Sequence, residues 1–395
     1  VFPTEKTVVT STLLDQPTAT AAPKAATPGP GTARPRLAVL DGLRLVAALA
    51  VLSWHWMGVQ HWPQIWHGKT GRLMPVGSAI GAYGWLGVEL FFLISGFVIC
   101  MTCWGRSVGE FVTSRVTRLF PAFWVAVLLT SAVLYFAPQR WGVDPHKPTL
   151  VRVLTNLTMV PSPVGQSNID QVYWTLWIEL CFYVLFGVLA AFGLTYRRVL
   201  AFCGIWGFAS IIAIGSNFPL LSNLVQADYS WYFIAGIAFF LIHKYGPNLL
   251  LFGMVGFCWL MSLDRIQSMV QTNSGGAERP LSWRVAAVVI TLSFALVGAI
   301  ALGAMNGVRW RWLTVAGTLT YPLYLVHQEI GFEIINRLSP HLPPYATVAV
   351  SLGVMLVTAW LLHRLVERPL GPLLKRGMAR SFAQVRANGH LGSGS

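Results

Sequence analysis

The sequence predicts an all-α, polytopic integral membrane protein, with about ten transmembrane helices enclosing an intramembrane cavity. Three observations carry that prediction. Apolar residues make up 55% of the chain and charged ones 11%, a balance that suits lipid as the solvent rather than water. The apolar residues gather into runs of about 20, the helix length that crosses a bilayer. Several of those runs nevertheless hold an arginine, histidine or glutamate, and such groups are tolerated in hydrocarbon where they face a protein-lined or wet space. Seventeen tryptophans agree, since they collect at membrane surfaces. The net charge of +14 would suit a nucleic-acid binder. The basic residues are scattered among short loops instead of lining a groove, so no nucleic-acid partner is expected. Cys100, Cys103, Cys181, Cys203 and Cys258 all fall in apolar runs. Cys100 and Cys103 have a CxxC spacing without a second pair, so neither a disulfide nor a metal site is expected.

In chain order, residues 1–35 are rich in Thr, Ala and Pro, lack a hydrophobic period, and read as a disordered arm. The arm has no apolar signal-peptide core, which leaves the first membrane helix as the targeting element. Spans are expected at 40–59, 79–102, 119–137, 171–194, 198–215, 227–244, 248–264, 284–305, 312–333 and 345–366. Arg34 and Arg36 place the start of the first in the cytoplasm. Alternation then puts Arg106, Arg115, Arg118, Arg197, Arg198, Lys244, Arg309, Arg311 and the tail from Arg364 to Arg386 on the same side. Fewer basic residues, among them Lys69, Arg72, Arg140, Arg152 and Arg265, fall opposite. This is the positive-inside pattern of a multi-pass plasma-membrane protein with both termini cytoplasmic. The stretch Thr149–Val160 reads either as an interfacial helix or as a short re-entrant segment. Residues 36–370 form one membrane domain. Residues 371–395 form a cytoplasmic tail whose last five residues are set aside as an expression scar.

Five stretches carry chemistry. In the first span, Arg44 and His55 are eleven positions apart, close to three turns, so they share a face roughly 16 Å apart along the axis. They are a functional pair, or else a snorkelling arginine and a histidine satisfied by packing. In Gly-Val-Glu-Leu-Phe-Phe-Leu-Ile-Ser-Gly-Phe (87–97), small residues allow close helix contact, and Glu89 either holds a polar substrate or pairs with an arginine. Arg115 and Arg118, three apart before Pro121, form a phosphate clamp or merely mark topology. Tyr173-Trp174-Thr175-Leu176-Trp177-Ile178-Glu179 carries a carboxylate into the fourth span, where a cation or donor should meet it. In the ninth span, Thr320 and His327 share a face with Tyr324 between them, either lining the same cavity or making a packing hydrogen bond.

In this order, the five stretches resemble the acyltransferase-3 family of integral-membrane O-acyltransferases. The Arg-x10-His spacing follows a Leu-Asp-Gly-Leu-Arg opening, and the 87–97 run, Arg115/Arg118-Pro121, Trp174-Thr-Leu…Glu179 and Tyr321…His327 match later motifs over residues 37–370. Thr320 stands where serine is frequent, and Trp177 replaces a smaller residue. The resemblance implies that the cavity is catalytic and that an acyl group moves from acyl-CoA to a hydroxyl, commonly on a sugar. The acceptor would be a sugar of a glycosylated natural product such as a macrolide, or a cell-surface glycan. The implied catalytic residues are His55, Arg44 and Glu179. His55 would act as general base, with Glu179 or Glu89 orienting its ring or holding sugar hydroxyls. Arg115 and Arg118 would bind the phosphates of acyl-CoA. Glu89, Tyr173, Trp174, Tyr321 and His327 would meet the substrate, and Arg44, Tyr321 or His327 would face the oxyanion. No metal is expected. A secondary transporter with a His/Glu/Arg proton relay is the rival reading, but the sequence carries neither an evident inverted repeat nor paired broken helices.

Overall fold

The computed structural model describes residues 37–59, 63–137, 147–216, 218–308 and 310–391. The arm at 1–35, Arg34, Arg36, Arg140, Arg309 and the last four residues lie outside them. Regular structure is helical, apart from an isolated bridge between Val59 and Ala277. The long helices are α1 (Ala38–Ser53), α2 (Gly87–Cys103), α3 (Val108–Phe136), α4 (Trp174–Ala191), α5 (Tyr196–Gly215), α6 (Ser230–Tyr245), α7 (Leu249–Ser274), α8 (Trp283–Ala301), α9 (Arg311–Val326) and α10 (Pro344–Leu362). A helix over Arg368–Leu391 follows α10. Among the described residues, nine helical stretches are long and apolar enough to cross a membrane. Exposed apolar side chains such as Ile205, Phe208, Val288 and Leu292 cover their outward faces, as lipid contact requires. All five cysteines are buried free thiols.

At the centre, α2 packs on α6. Almost every residue of both is buried, because each is covered by other helices instead of lipid. Glycines set the closeness: a Cβ on Gly96 would lie 2.2 Å from the Phe233 carbonyl oxygen, and one on Gly236 would lie 2.1 Å from that of Leu93. Backbone contact of this kind replaces the hydrophobic drive that lipid cannot supply. The two helices run parallel, with Phe92 meeting Phe233 and Trp104 facing Tyr245.

The second close pairing is α1 with α9. Gly317 leaves room for Asp41, whose Cβ would sit 2.5 Å from a Cβ at 317. Farther along, His55 meets His327. These helices also run parallel.

The expected span 312–333 differs from the others. It forms α9 and a separate helix over Glu329–Leu338, interrupted at His327 and Gln328. Side chains hold the interruption open. His327 Nδ1 donates to the Tyr324 carbonyl (2.8 Å), and Asp170 Oδ2 accepts from the Glu329 amide (3.3 Å). Asp170 is placed by the loop before α4. There Asn156 Oδ1 accepts from the Ile169 amide, and Arg152 Nη2 donates to the Asn168 carbonyl. Within Thr149–Val160 the helix covers only Leu150–Asn156, about 10 Å at 1.5 Å per residue. It folds against this loop.

Candidate functional site

Two cavities lie back to back within the bundle. The first, the arginine cavity, has a volume of about 80 Å³ and is lined by Arg44 from α1, Arg115 and Arg118 from α3, and Glu179 from α4. Three guanidinium groups facing one carboxylate make it receptive to anions. The second, the histidine cavity, is about 360 Å³ and is lined by His55, Glu89, Trp174, Asp228 and Arg265. The larger space falls within the range of small-molecule sites, and the smaller is a slot. Val88 and Tyr324 line both cavities and form the partition between them.

His55 sits where α1 widens into a π turn, Trp54–Gly58, a local form often found at functional sites. Its Nδ1 lies 3.0 Å from His327 Nε2. The proton positions follow from the chain of partners. A carbonyl oxygen only accepts, so His327 Nδ1, bonded to the Tyr324 carbonyl, carries a proton. With both rings neutral, His327 Nε2 keeps its lone pair, and His55 Nδ1 donates to it. His55 Nε2 is left with a free lone pair on a ring that lines the histidine cavity. The backbone around this pair is fixed too, because the buried Trp56 Nε1 donates to the His327 carbonyl (2.9 Å).

His327, expected at the substrate, therefore stands behind His55 and orients it. Glu179, expected to orient the base, is across the partition. Its Oε1 accepts from the Tyr183 hydroxyl at 2.5 Å and from Ser95 Oγ at 3.3 Å. Tyr173 lines neither cavity; its buried hydroxyl donates to the Leu325 carbonyl and ties the turn before α4 to α9. Tyr321 lines the arginine cavity, with its hydroxyl given to the Leu119 carbonyl. Trp174 and Glu89 both face the histidine cavity. Glu89 is 4% exposed, and its Oε2 has no hydrogen-bond partner.

The arginine pair divides. Arg115 is buried, with Nη2 donating to Ser114 Oγ (2.9 Å), its guanidinium 6.0 Å from the centre of the Tyr183 ring, and Nε without a partner. Arg118 is exposed at the rim. They do not form a matched surface clamp: one is inside the slot and the other at its mouth.

Two features of the site have no counterpart in the expectations. Asp228 and Arg265 form an ion pair in the histidine cavity, with Nε and Nη2 of the arginine both donating to Oδ1 (2.9 and 2.5 Å). Their signal was charge at the ends of the expected spans 227–244 and 248–264, which topology alone also explains. Tyr324 forms the partition, and Thr175 holds its hydroxyl (2.8 Å). Tyr324 did share a face with His327 in the sequence, but its position between two cavities is a tertiary fact.

Comparison with known proteins adds the following. A family model described as an acyltransferase domain matches residues 37–364. That range contains both cavities and the histidine pair. Acyltransferase MdmB of Streptomyces mycarofaciens is 25% identical over 388 residues, covering 86% of this chain and 93% of its own length. Exopolysaccharide production protein ExoZ of Rhizobium meliloti (strain 1021) is 32% identical over 128 residues, 30% of this chain and 36% of its own. Nodulation protein 10 of Rhizobium leguminosarum bv. viciae is 25% identical over 274 residues, 63% and 72% respectively. No solved structure matches.

Proposed function

The chain belongs to the acyltransferase-3 family, and from that membership we propose that it transfers a short acyl group, such as acetyl, from acyl-CoA to a carbohydrate hydroxyl. The observation that carries this reading is the pair of cavities sharing one partition, with a base on one side and guanidinium groups on the other. The arginine slot suits acyl-CoA. Arg118 at the mouth and Arg115 within attract its phosphates, and a narrow space fits an extended thiol-bearing arm better than a ring. The histidine cavity suits the acceptor. Trp54, Trp85 and Trp174 offer aromatic faces for a sugar, while Glu89 and the Asp228–Arg265 pair offer hydrogen bonds to hydroxyls.

His55 Nε2 takes the proton of the acceptor hydroxyl as the oxygen attacks the thioester carbonyl. His327 holds the ring in the required tautomer and stabilises the imidazolium that forms, the part played by the third member of a catalytic triad. The imidazolium then returns its proton to the departing thiolate. Arg44, on the face that leads from the slot to His55, positions the donor. The protein works in the plasma membrane with both termini cytoplasmic, so that the arginine slot meets the cytoplasmic supply of acyl-CoA. The acceptor is a sugar of a natural product such as a macrolide or a cell-surface glycan. The second class draws support from the exopolysaccharide role in the name of one relative. A transporter has no observation in its favour beyond the buried ionisable groups.

The test is incubation of the purified protein with acetyl-CoA and candidate sugars. Acceptor-dependent release of free thiol, with a matching acetyl mass gain on the sugar, is expected. Thiol release that no acceptor accelerates would sink the reading.

A further inference from the structure

An acyl transfer across the two cavities needs a hydrogen-bond donor where the thioester carbonyl becomes an oxyanion. Tyr321 and His327 were the aromatic candidates, but both stand off the partition: Tyr321 lines the arginine cavity alone, with its hydroxyl on the Leu119 carbonyl, and His327 lines neither cavity. The reacting carbon must lie where donor and acceptor meet, at the partition. Two residues line both cavities, Val88 and Tyr324. Of the two, Tyr324 alone carries a donor. Building on the acyltransfer reading above, we infer that Tyr324 is a catalytic residue whose phenol stabilises the tetrahedral oxyanion at the partition.

The surroundings prepare that role. The phenol oxygen lies 2.8 Å from Thr175 Oγ1 and 3.3 Å from the Val172 carbonyl, and Thr175 Oγ1 also reaches that carbonyl at 3.0 Å. The carbonyl only accepts. With Thr175 giving its own proton to that carbonyl, the phenol proton goes to Thr175 Oγ1 or, over the longer 3.3 Å, to the second lone pair of the same carbonyl. It can turn about the C–O bond to an oxyanion without moving the ring. The ring is held by an edge contact with Phe91 (5.7 Å between centroids) and lies 5.5 Å from the His327 ring, which bonds His55. Base and oxyanion donor are thus anchored through one residue, His327, at the end of α9. A donor already in place when charge develops contributes more than one that must reorganise.

The acceptor O–H gives its proton to His55 Nε2, and its oxygen bonds the thioester carbon. The carbonyl π pair moves to oxygen, which accepts the hydrogen bond from Tyr324. On collapse that pair re-forms C=O, the C–S bond breaks, and the thiolate takes the proton from His55. An ester and a free thiol result.

The experiment measures acceptor-dependent transfer from acetyl-CoA by wild type, Tyr324→Phe and a protein with 3,5-difluorotyrosine at 324. Tyr324→Phe keeps the ring and its contact with Phe91. Its kcat should fall about 10²–10³-fold, the usual effect of losing one oxyanion donor, with KM for acetyl-CoA unchanged. Difluorotyrosine nearly preserves shape and alters donor strength, so kcat should shift at least twofold; a ring that merely packs would leave it unmoved. Tyr324→Phe within threefold of wild type, or an unshifted difluorotyrosine protein, would overturn the assignment to Tyr324 and leave the acyltransfer reading intact. Absence of transfer in wild type would overturn both.

Discussion

Replacing His327 by phenylalanine removes two hydrogen bonds, the one to the Tyr324 carbonyl at the break after α9 and the one that faces His55. The ring volume is nearly kept, and the Trp56 contact survives because it goes to the backbone carbonyl. The loss that bears on catalysis is the acceptor that faces His55 Nδ1 at 3.0 Å. In the resting site this is a bond between neutral groups, worth about 0.5–1.5 kcal/mol. At the transition state His55 carries a proton, and the same contact becomes charge-assisted, worth about 1.5–3 kcal/mol. The difference between the two, about 1–1.5 kcal/mol, governs kcat, which should drop by about 5- to 13-fold. His55→Ala removes the base itself and should cost about 10²–10⁴-fold. The two losses should not add, because an orienting residue has nothing to orient once the base is gone. The assay is steady-state transfer from acetyl-CoA to the acceptor by the single and double variants, with the acetyl-CoA KM followed alongside. A His327→Phe enzyme within threefold of wild type would refute the histidine pair as the catalytic unit. So would full additivity in the double variant.

Other outcomes follow from the same geometry. Arg115→Ala and Arg118→Ala should each weaken acyl-CoA binding, by about 1.5–3 kcal/mol if a charged hydrogen bond is lost; titration calorimetry showing equal affinity in the double variant would leave both as topology signals. Glu89→Gln should raise the acceptor KM about tenfold or more while the acyl-CoA KM stays put; the opposite pattern would assign Glu89 to the donor. Gly236→Leu should lower the thermal midpoint of the detergent-purified protein by several degrees, since a Cβ there meets the Leu93 carbonyl at 2.1 Å and overpacking costs about 1–3 kcal/mol. An unchanged midpoint would mean that α2 and α6 separate easily.

Much of the fold was legible because hydropathy and length act within one segment. The spans, and the placing of Arg44 and His55 on one helix, needed only a period and a count. What lay beyond reach depends on which helices meet. The partner of His55 is 272 positions away, and periodicity gives each residue a face but not the helix that the face meets. Glu179 looked like an orienting group because it is a carboxylate in an apolar helix, yet Tyr183 and Ser95 hold it in the other cavity. Tyr173 had the look of a substrate contact, and its hydroxyl instead ties the turn before α4 to α9. The interruption at His327 and Gln328 depends on Asp170 reaching the Glu329 amide from another segment, so an uninterrupted span was the natural reading. Arg115 and Arg118 share a helix side by spacing, and only packing decides that one is buried.

The central claim is that donor and acceptor enter from opposite faces and meet at the partition formed by Val88 and Tyr324. It is tested most directly in proteoliposomes of uniform orientation. Membrane-impermeant acetyl-CoA is placed on the face carrying Arg106 and Arg118, and an impermeant sugar acceptor on the other. The account predicts acetylated sugar on the acceptor face and free thiol on the donor face. Transfer that occurs only when both substrates share one face would contradict it.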